Sequence, residues 1–245
     1  MKRAWILAAI WALSLCAAEP LSVPLRGRTQ TLVRIDPRGP RNAAVIFLPG
    51  DGGWRGAAIT MGEAMASWGY EVYGFDTKKY LEDRTVSRDQ MTSDLRELAA
   101  RVRQTAGKPV VLAGWSQGAG MAIAAASGTP PQGLIQGVLT LGLPESAVLG
   151  WDWKATIAVL ARRTPDQPAF SVAPLLAGVS PTPLWMIHGS NDEYSGPGTA
   201  RALFAAAAEP KHFEEIASAN HRFDGHSDEL YRSMQAGLRW ITGRP

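Results

Sequence analysis

Residues 108–127 constrain this chain more than any other stretch. Val110, Val111, Leu112 and Ala113 form a short apolar run bounded by Pro109 and Gly114, the pattern of a strand buried on both faces. From Gln117 onward, small residues with Met121, Ile123 and the alanines 124–126 read as a helix packed closely on a sheet. Between the two stands Gly114-Trp115-Ser116-Gln117-Gly118, a G-x-S-x-G pattern. A strand turning sharply into a helix holds the middle residue in strained backbone geometry and exposes its hydroxyl. Glycines two places either side are required because side chains there would collide with the adjacent strand and helix. The five-residue pattern alone is common as a packing turn. Its strand–turn–helix context makes Ser116 a candidate nucleophile.

The rest of the chain repeats the alternation. Residues 31–35 alternate polar and apolar side chains as a half-exposed strand does, and residues 21–28 read as an arm or edge strand. Further strands are expected at 43–48, 72–75, 134–141, 184–187 and 213–216, and helices near 57–68 and 199–208. Met91, Leu95, Leu98 and Val102 recur at helical spacing within 89–105. Leu230, Met234, Leu238 and Ile241 do so within 227–241. This order predicts the α/β class: one mostly parallel central sheet with helices on both faces. Its length of 245 residues suits one core. Ligands of such sheets bind beyond the carboxyl ends of the strands, and each polar loop considered below leaves such an end.

Residues 1–18 read as a secretory signal peptide, leaving a domain of 19–245. Lys2 and Arg3 supply a positive start, residues 4–17 are almost wholly apolar, and Glu19-Pro20 ends the run. The run is too short to span a bilayer comfortably, so no stable transmembrane anchor is expected after cleavage, which is placed after Ala18. The competing reading is a lipoprotein acylated at Cys16, but Leu15 is bulkier than the small residue that signal carries. Cys16 is the sole cysteine, so the mature domain has neither a disulfide nor a thiol nucleophile. The formal charge of +3 falls to +1 without Lys2 and Arg3, which gives no electrostatic case for nucleic acid.

A serine hydroxyl needs a base in reach, itself oriented by a carboxylate. Behind a nucleophile elbow these follow in the order Ser, Asp or Glu, His. Asp192 comes just after the penultimate expected strand and His221 just after the last. Glu193 is the alternative acid, and Asp192 could instead cap the following turn. Among four histidines, His188 ends a strand, His212 lies at the wrong end of one, and His226 shares the loop of His221. His221 is favoured because it falls first after the strand and Phe223 can anchor its loop. The oxyanion donors expected are the N–H groups of Gln117 and of Asp51, with Gly52 second, in Pro49-Gly50-Asp51-Gly52-Gly53. That loop lacks the Lys-Ser/Thr ending of a phosphate-binding P-loop and the spacing of a dinucleotide fingerprint, so no cofactor is implied. His221 and His226 lack the helical periodicity of a metal-ligand pair, and no metal site is visible.

With these residues in place, the chain resembles the α/β-hydrolase superfamily over nearly its whole mature length. More narrowly, it resembles the bacterial virulence protein VirJ family, which includes the C-terminal domain of AcvB. The matching stretches are Pro49-Gly50-Asp51-Gly52-Gly53-Trp54, Asp76-Thr77-Lys78-Lys79-Tyr80 with Arg84-Thr85, and Gly114-Trp115-Ser116-Gln117-Gly118-Ala119. The resemblance implies a periplasmic serine hydrolase with Ser116, Asp192 and His221 in the catalytic places, and a link to aminoacylated phospholipids such as lysyl-phosphatidylglycerol. Departures are Trp115, where the family has Tyr or a similar aromatic, and Gln117 in place of a frequent Phe. Residues 144–183 also match poorly and are expected to form a small cap insertion.

The chemistry expected is therefore hydrolysis of a carboxylic ester. A cationic aminoacyl group would call for acidic neighbours, for which Asp51, Glu193 and Asp224 are candidates. Gly52, Trp54, Trp115 and Trp153 are expected at the substrate, with Trp151 as a further part of an apolar wall; ordinary core packing is the alternative for each tryptophan. Rival readings are a carboxylesterase or dienelactone-type hydrolase of soluble esters, and a non-catalytic periplasmic binding or assembly factor on the same scaffold.

Overall fold

The computed structural model describes residues 19–40, 42–160 and 166–243. The expected signal peptide lies outside them. Among the described residues, ten strands and eight α-helices follow one another, strands and helices alternating over most of the chain as expected. The main sheet contains β1 (Leu21–Leu25), β2 (Arg28–Ile35), β3 (Ala44–Leu48), β4 (Glu71–Gly74), β5 (Val110–Trp115), β6 (Ile135–Leu141), β9 (Leu184–Gly189) and β10 (Lys211–Ile216). Its spatial order is β1-β2-β4-β3-β5-β6-β9-β10. β1–β2 and β2–β4 pair antiparallel, and every pair from β4 to β10 is parallel. The edge strand expected over 21–28 is the first arm of a hairpin, which turns at Arg26 and Gly27, both with positive φ.

The central strands are apolar throughout because both of their faces are covered. In β3, Ala44, Ile46 and Leu48 enter one core, while Val45 and Phe47 enter the other. The first core packs under α3 (Arg88–Ala106) and α4 (Gln117–Ala126), and the second under α1 (Ala57–Ser67) and α8 (Ser227–Ile241). The four apolar residues of α8 picked out by spacing are all buried. Burying each contributes on the order of 1.5–3 kcal/mol relative to exposure. Helix and sheet approach closely there: a Cβ on Gly237 would lie 2.7 Å from the Trp185 ring.

Two features differ from the sequence expectation. A short helix, α2 (Thr77–Leu81), follows β4 with Asp76 as its N-cap, where no helix was expected. β4 begins at Glu71, a carboxylate 1% exposed and held by Arg34 Nε at 2.8 Å. The strand was expected only from Val72. The region 144–183 holds a two-stranded ribbon, β7 (Ser146–Val148) against β8 (Ala169–Ser171), with α5 (Trp153–Leu160) between them and α6 (Ala173–Leu176) after. Ala147, Phe170, Val172 and Leu176 from this region join the core under α4. Helix α7 (Pro197–Ala206) joins β9 to β10.

Candidate active site

Ser116 stands between β5 and α4 with φ 54° and ψ −121°, a left-side conformation that costs a non-glycine residue on the order of 1–3 kcal/mol. Its flanking glycines are there for close approach. A Cβ on Gly114 would come within 2.6 Å of the Ala119 backbone, and one on Gly118 would run into the Leu48 and Pro49 carbonyls at the end of β3. The elbow is pinned to the next strand by Ser116 N–H donating to Leu141 O at 2.8 Å. Gln117 and Gly118, the first residues of α4, have N–H groups with no backbone hydrogen-bond partner among the described residues, as the start of a helix requires.

The loops after β9 and β10 bring the candidate acid and base together. Asp192 Oδ2 accepts from His221 Nδ1 at 2.7 Å. Asp192 Oδ1 accepts from the N–H groups of Tyr194 and Ser195, each at 2.9 Å. The residue thus caps its own turn and meets the imidazole with separate oxygens. Burial alone would push its carboxyl upward. The hydrogen bond and charge of His221 and the two N–H donors outweigh burial and hold it below the usual carboxylate value. Glu193, the alternative acid, meets the backbone instead: its Oε2 accepts from His221 N–H at 3.0 Å. Phe223 is buried beneath the loop, and Trp115 Nε1 donates to His221 O at 3.2 Å. Tyr194 packs edge-on to the imidazole at 4.9 Å between centroids. Asp224, expected near a cationic acyl group, accepts from Asn220 Nδ2 at 2.9 Å within the same loop.

The other histidines lie elsewhere. His188 is buried at the end of β9 and donates from Nε2 to Ser195 O at 2.6 Å. Burial lowers its pKa more than the neighbouring Asp192 raises it. His212 stacks on Trp185, and His226 sits at the N-terminus of α8.

Ser116 and His221 share this end of the sheet through Gly142. Gly142 follows Leu141 with φ +52°, and a Cβ there would lie 3.0 Å from His221 Cε1 and 3.3 Å from Asp192 Oδ2. No hydrogen bond joins the Ser116 hydroxyl to His221 among the described residues; such contacts tighten when substrate binds.

The Pro49–Gly53 loop closes the other side. Gly53 N–H donates to Gly50 O at 3.1 Å, so Asp51 and Gly52 are the central residues of a tight turn. Gly50 faces the nucleophile: a Cβ there would lie 3.2 Å from Ser116 Cβ. The Thr77 hydroxyl, fully buried, bonds the Pro49 and Gly50 carbonyls at 2.8 and 3.0 Å, and Gly53 packs on the Asp76 carboxylate. Asp76 and Thr77 therefore set the loop's position. Gln117 also has a role that sequence reasoning missed. Its side chain accepts from Val148 N–H at 2.9 Å and donates to Val148 O at 2.8 Å, tying the elbow to β7.

Of the expected substrate contacts, Gly52 is exposed on its loop and Trp115 lies beside His221. Trp54 packs into the fold and also borders a cleft beside the Pro49–Gly53 turn. Its six-membered ring fills the space over Gly62 and Gly74 and meets Phe47 edge-on at 6.0 Å. Trp153 is 68% exposed on α5, and its recorded ring contact is with Lys154. Trp151, not Trp153, is the buried member of that pair. A cleft of about 380 Å³ between β10 and α8 contains none of the expected site residues.

A sequence profile of the bacterial virulence protein (VirJ) family matches residues 42–239, most of the chain. The chain belongs to the VirJ family. A comparison with curated protein sequences finds no significant match. Solved structures similar to this VirJ-family protein include the esterase domain of a Rhodothermus marinus protein. That domain is 20% identical, with 91% of this chain and 97% of the other covered at a TM-score of 0.66. An α/β serine hydrolase homologue from Coxiella burnetii is 15% identical, with 96% and 100% covered at 0.68. A soluble variant of monoglyceride lipase from Saccharomyces cerevisiae is 13% identical, with 96% and 98% covered at 0.66. At these identities the likeness establishes the α/β-hydrolase fold of this VirJ-family chain.

Proposed function

We propose that this VirJ-family protein is an exported serine hydrolase that cleaves carboxylic esters by acyl transfer to water. The observation carrying this reading is the 2.7 Å contact between Asp192 Oδ2 and His221 Nδ1, with the strained Ser116 at the carboxyl end of β5, one strand removed from β9 in the same sheet. Asp192 holds the imidazole with its proton on Nδ1, leaving Nε2 to take the Ser116 proton. Ser116 Oγ bonds to the ester carbonyl carbon, and the resulting oxyanion rests on the N–H groups of Gln117 and Asp51. The tetrahedral intermediate expels the alcohol, which takes its proton from His221. Water, deprotonated by His221, then attacks the acyl-enzyme, and the carboxylic acid leaves with Ser116 restored.

The substrate class we favour is an aminoacylated phospholipid such as lysyl-phosphatidylglycerol, on the strength of family membership. Of the acids once expected around the amino group, Glu193 and Asp224 are engaged within the His221 loop. Asp51 is left as a half-exposed carboxylate on the Pro49–Gly53 turn. Export rests on the pattern of residues 1–18.

Fluorophosphonate labelling of the mature protein, with Ser116→Ala as control and mass mapping of the adduct, tests the reaction class. Labelling confined to Ser116 is expected, followed by preference for aminoacyl lipid over neutral soluble esters in a substrate panel. A folded protein that takes no label would leave the scaffold as a binding factor. Equal turnover of neutral esters would favour a general carboxylesterase.

A further inference from the structure

Beside the Pro49–Gly53 turn lies a second cleft of about 250 Å³, whose lining includes neither Ser116 nor Gly50. Gly52 and Gly53 form its wall toward the turn, and Arg55, Lys78 and Lys79 supply three cationic side chains. None of the three is ion-paired within 4 Å among the described residues, although Asp76 and Glu82 also border the cleft. Asp76 is turned inward: its Oδ1 accepts Lys79 N–H at 3.0 Å, and its carboxylate packs against Gly53. Lys78 is half-buried, with Nζ 5.9 Å from the centre of the buried Trp151 ring. An ammonium held against an aromatic face has lost part of its water and gains more from an anion than a free surface lysine does. Three cations against the two carboxylates of Asp76 and Glu82 leave the lining with a net charge of +1, which an anion would complement.

We propose that this cleft is a phosphate-ester subsite, with Lys78, Lys79 and Arg55 binding the phosphodiester of the substrate's alcohol portion. The placement follows from the turn itself. Gly50 faces Ser116 and Gly53 faces the cleft, and the ends of such a turn lie within about 7 Å of each other. In an aminoacyl phosphatidylglycerol, a single glycerol unit separates the scissile ester from the phosphorus. A carbonyl at Ser116 therefore leaves the phosphate at the far side of the turn. The subsite gives Lys78 and Lys79, which lie within the residues the family profile matches, a task that the acyl-transfer chemistry leaves open. It rests on the ester-hydrolase reading for its role in turnover, while anion binding stands independently of that reading.

The test pairs binding with kinetics on wild-type protein and the R55Q/K78Q/K79Q variant, with Tm measured to establish folding and R55K/K78R/K79R as the charge-conserving control. Titration calorimetry with glycerophosphoglycerol is expected to show binding that weakens about tenfold or more in the glutamine variant and persists in the control. Inorganic phosphate should compete. Sedimentation with phosphatidylglycerol rather than phosphatidylcholine vesicles, lost in the glutamine variant, identifies the lipid as the source. Competition by phosphate without vesicle binding identifies a soluble phosphate ester. In turnover, the ratio of kcat/KM for lysyl-phosphatidylglycerol to that for a neutral ester should fall about tenfold or more. Glutamine variants that bind glycerophosphoglycerol as wild type does, or a wild type that binds none, overturn the subsite. Loss of binding in the glutamine variant alongside an unlabelled Ser116 would retain the subsite and remove the hydrolase reading.

Discussion

At the scale of single residues, the site depends on how one carboxylate divides its oxygens. Asp192 is 5% exposed, and burying an ionised carboxyl is costly unless its lone pairs are filled. Two backbone N–H groups fill Oδ1, and the His221 ring fills Oδ2. Replacing it by Asn keeps the volume but offers an amide that can donate to Nδ1 and so favours the wrong tautomer. Asp192→Asn should lower kcat for any ester the protein hydrolyses by on the order of 10⁴, with KM little affected. Pre-steady-state acylation rates of the variant measure this directly. A loss of only a few-fold would mean that Asp192 caps its turn and does not orient the base. Glu193 illustrates a limit of reading residues by type: it is a carboxylate like its neighbour, yet it serves the His221 N–H.

At the scale of elements, the elbow is fixed by contacts that local sequence does not announce. The Gln117 side chain pairs with both polar groups of Val148, as an added strand residue would. Gln117→Leu would leave a buried N–H and a buried C=O without partners, at about 1–3 kcal/mol each. We expect a loss of about 3 kcal/mol and a fall in Tm on the order of 10 °C, read by thermal unfolding. Gln117→Glu, which accepts but does not donate while ionised, should fall between. An unchanged Tm for the leucine variant would show that β7 relaxes to other partners. The strand, helix and glycine positions around Ser116 were legible because steric rules act over a few residues. Thr77 and Gly142 were not, since their partners lie 28 and 79 residues away along the chain.

At the scale of the whole molecule, two buried groups couple stability to acid in the same direction. His188 has a folded-state pKa below its ordinary value near 6.5, so the unfolded chain takes up a proton first as pH falls. The stability present above about pH 6.5 is therefore lost progressively as pH drops toward the folded-state value. Asp192, also lowered, adds a second loss beginning near pH 4, the ordinary carboxylate range. Denaturant unfolding at a series of pH values should show stability declining below about pH 6.5. His188→Gln, whose amide can still donate to Ser195 O, should flatten the first part of that decline. Identical pH slopes for the two proteins would mean that His188 titrates alike in both states.

The sequence by itself determined the α/β layering, the alternation that buries both faces of β3 and β5, and the elbow with its obligatory glycines. Each follows from periodicity or from sterics between near neighbours. It also placed Ser116, Asp192 and His221 each just after a strand, because in a parallel sheet chain order already dictates which loops share an end. Only the tertiary structure decided which oxygen of which acid meets the imidazole, that Trp54 packs into the fold and Trp153 is exposed, and that Lys78, Lys79 and Arg55 surround one cleft. Those outcomes depend on side-chain directions across elements far apart in the chain. The same residue types in the same order are compatible with several such arrangements until the sheet twists and the helices pack.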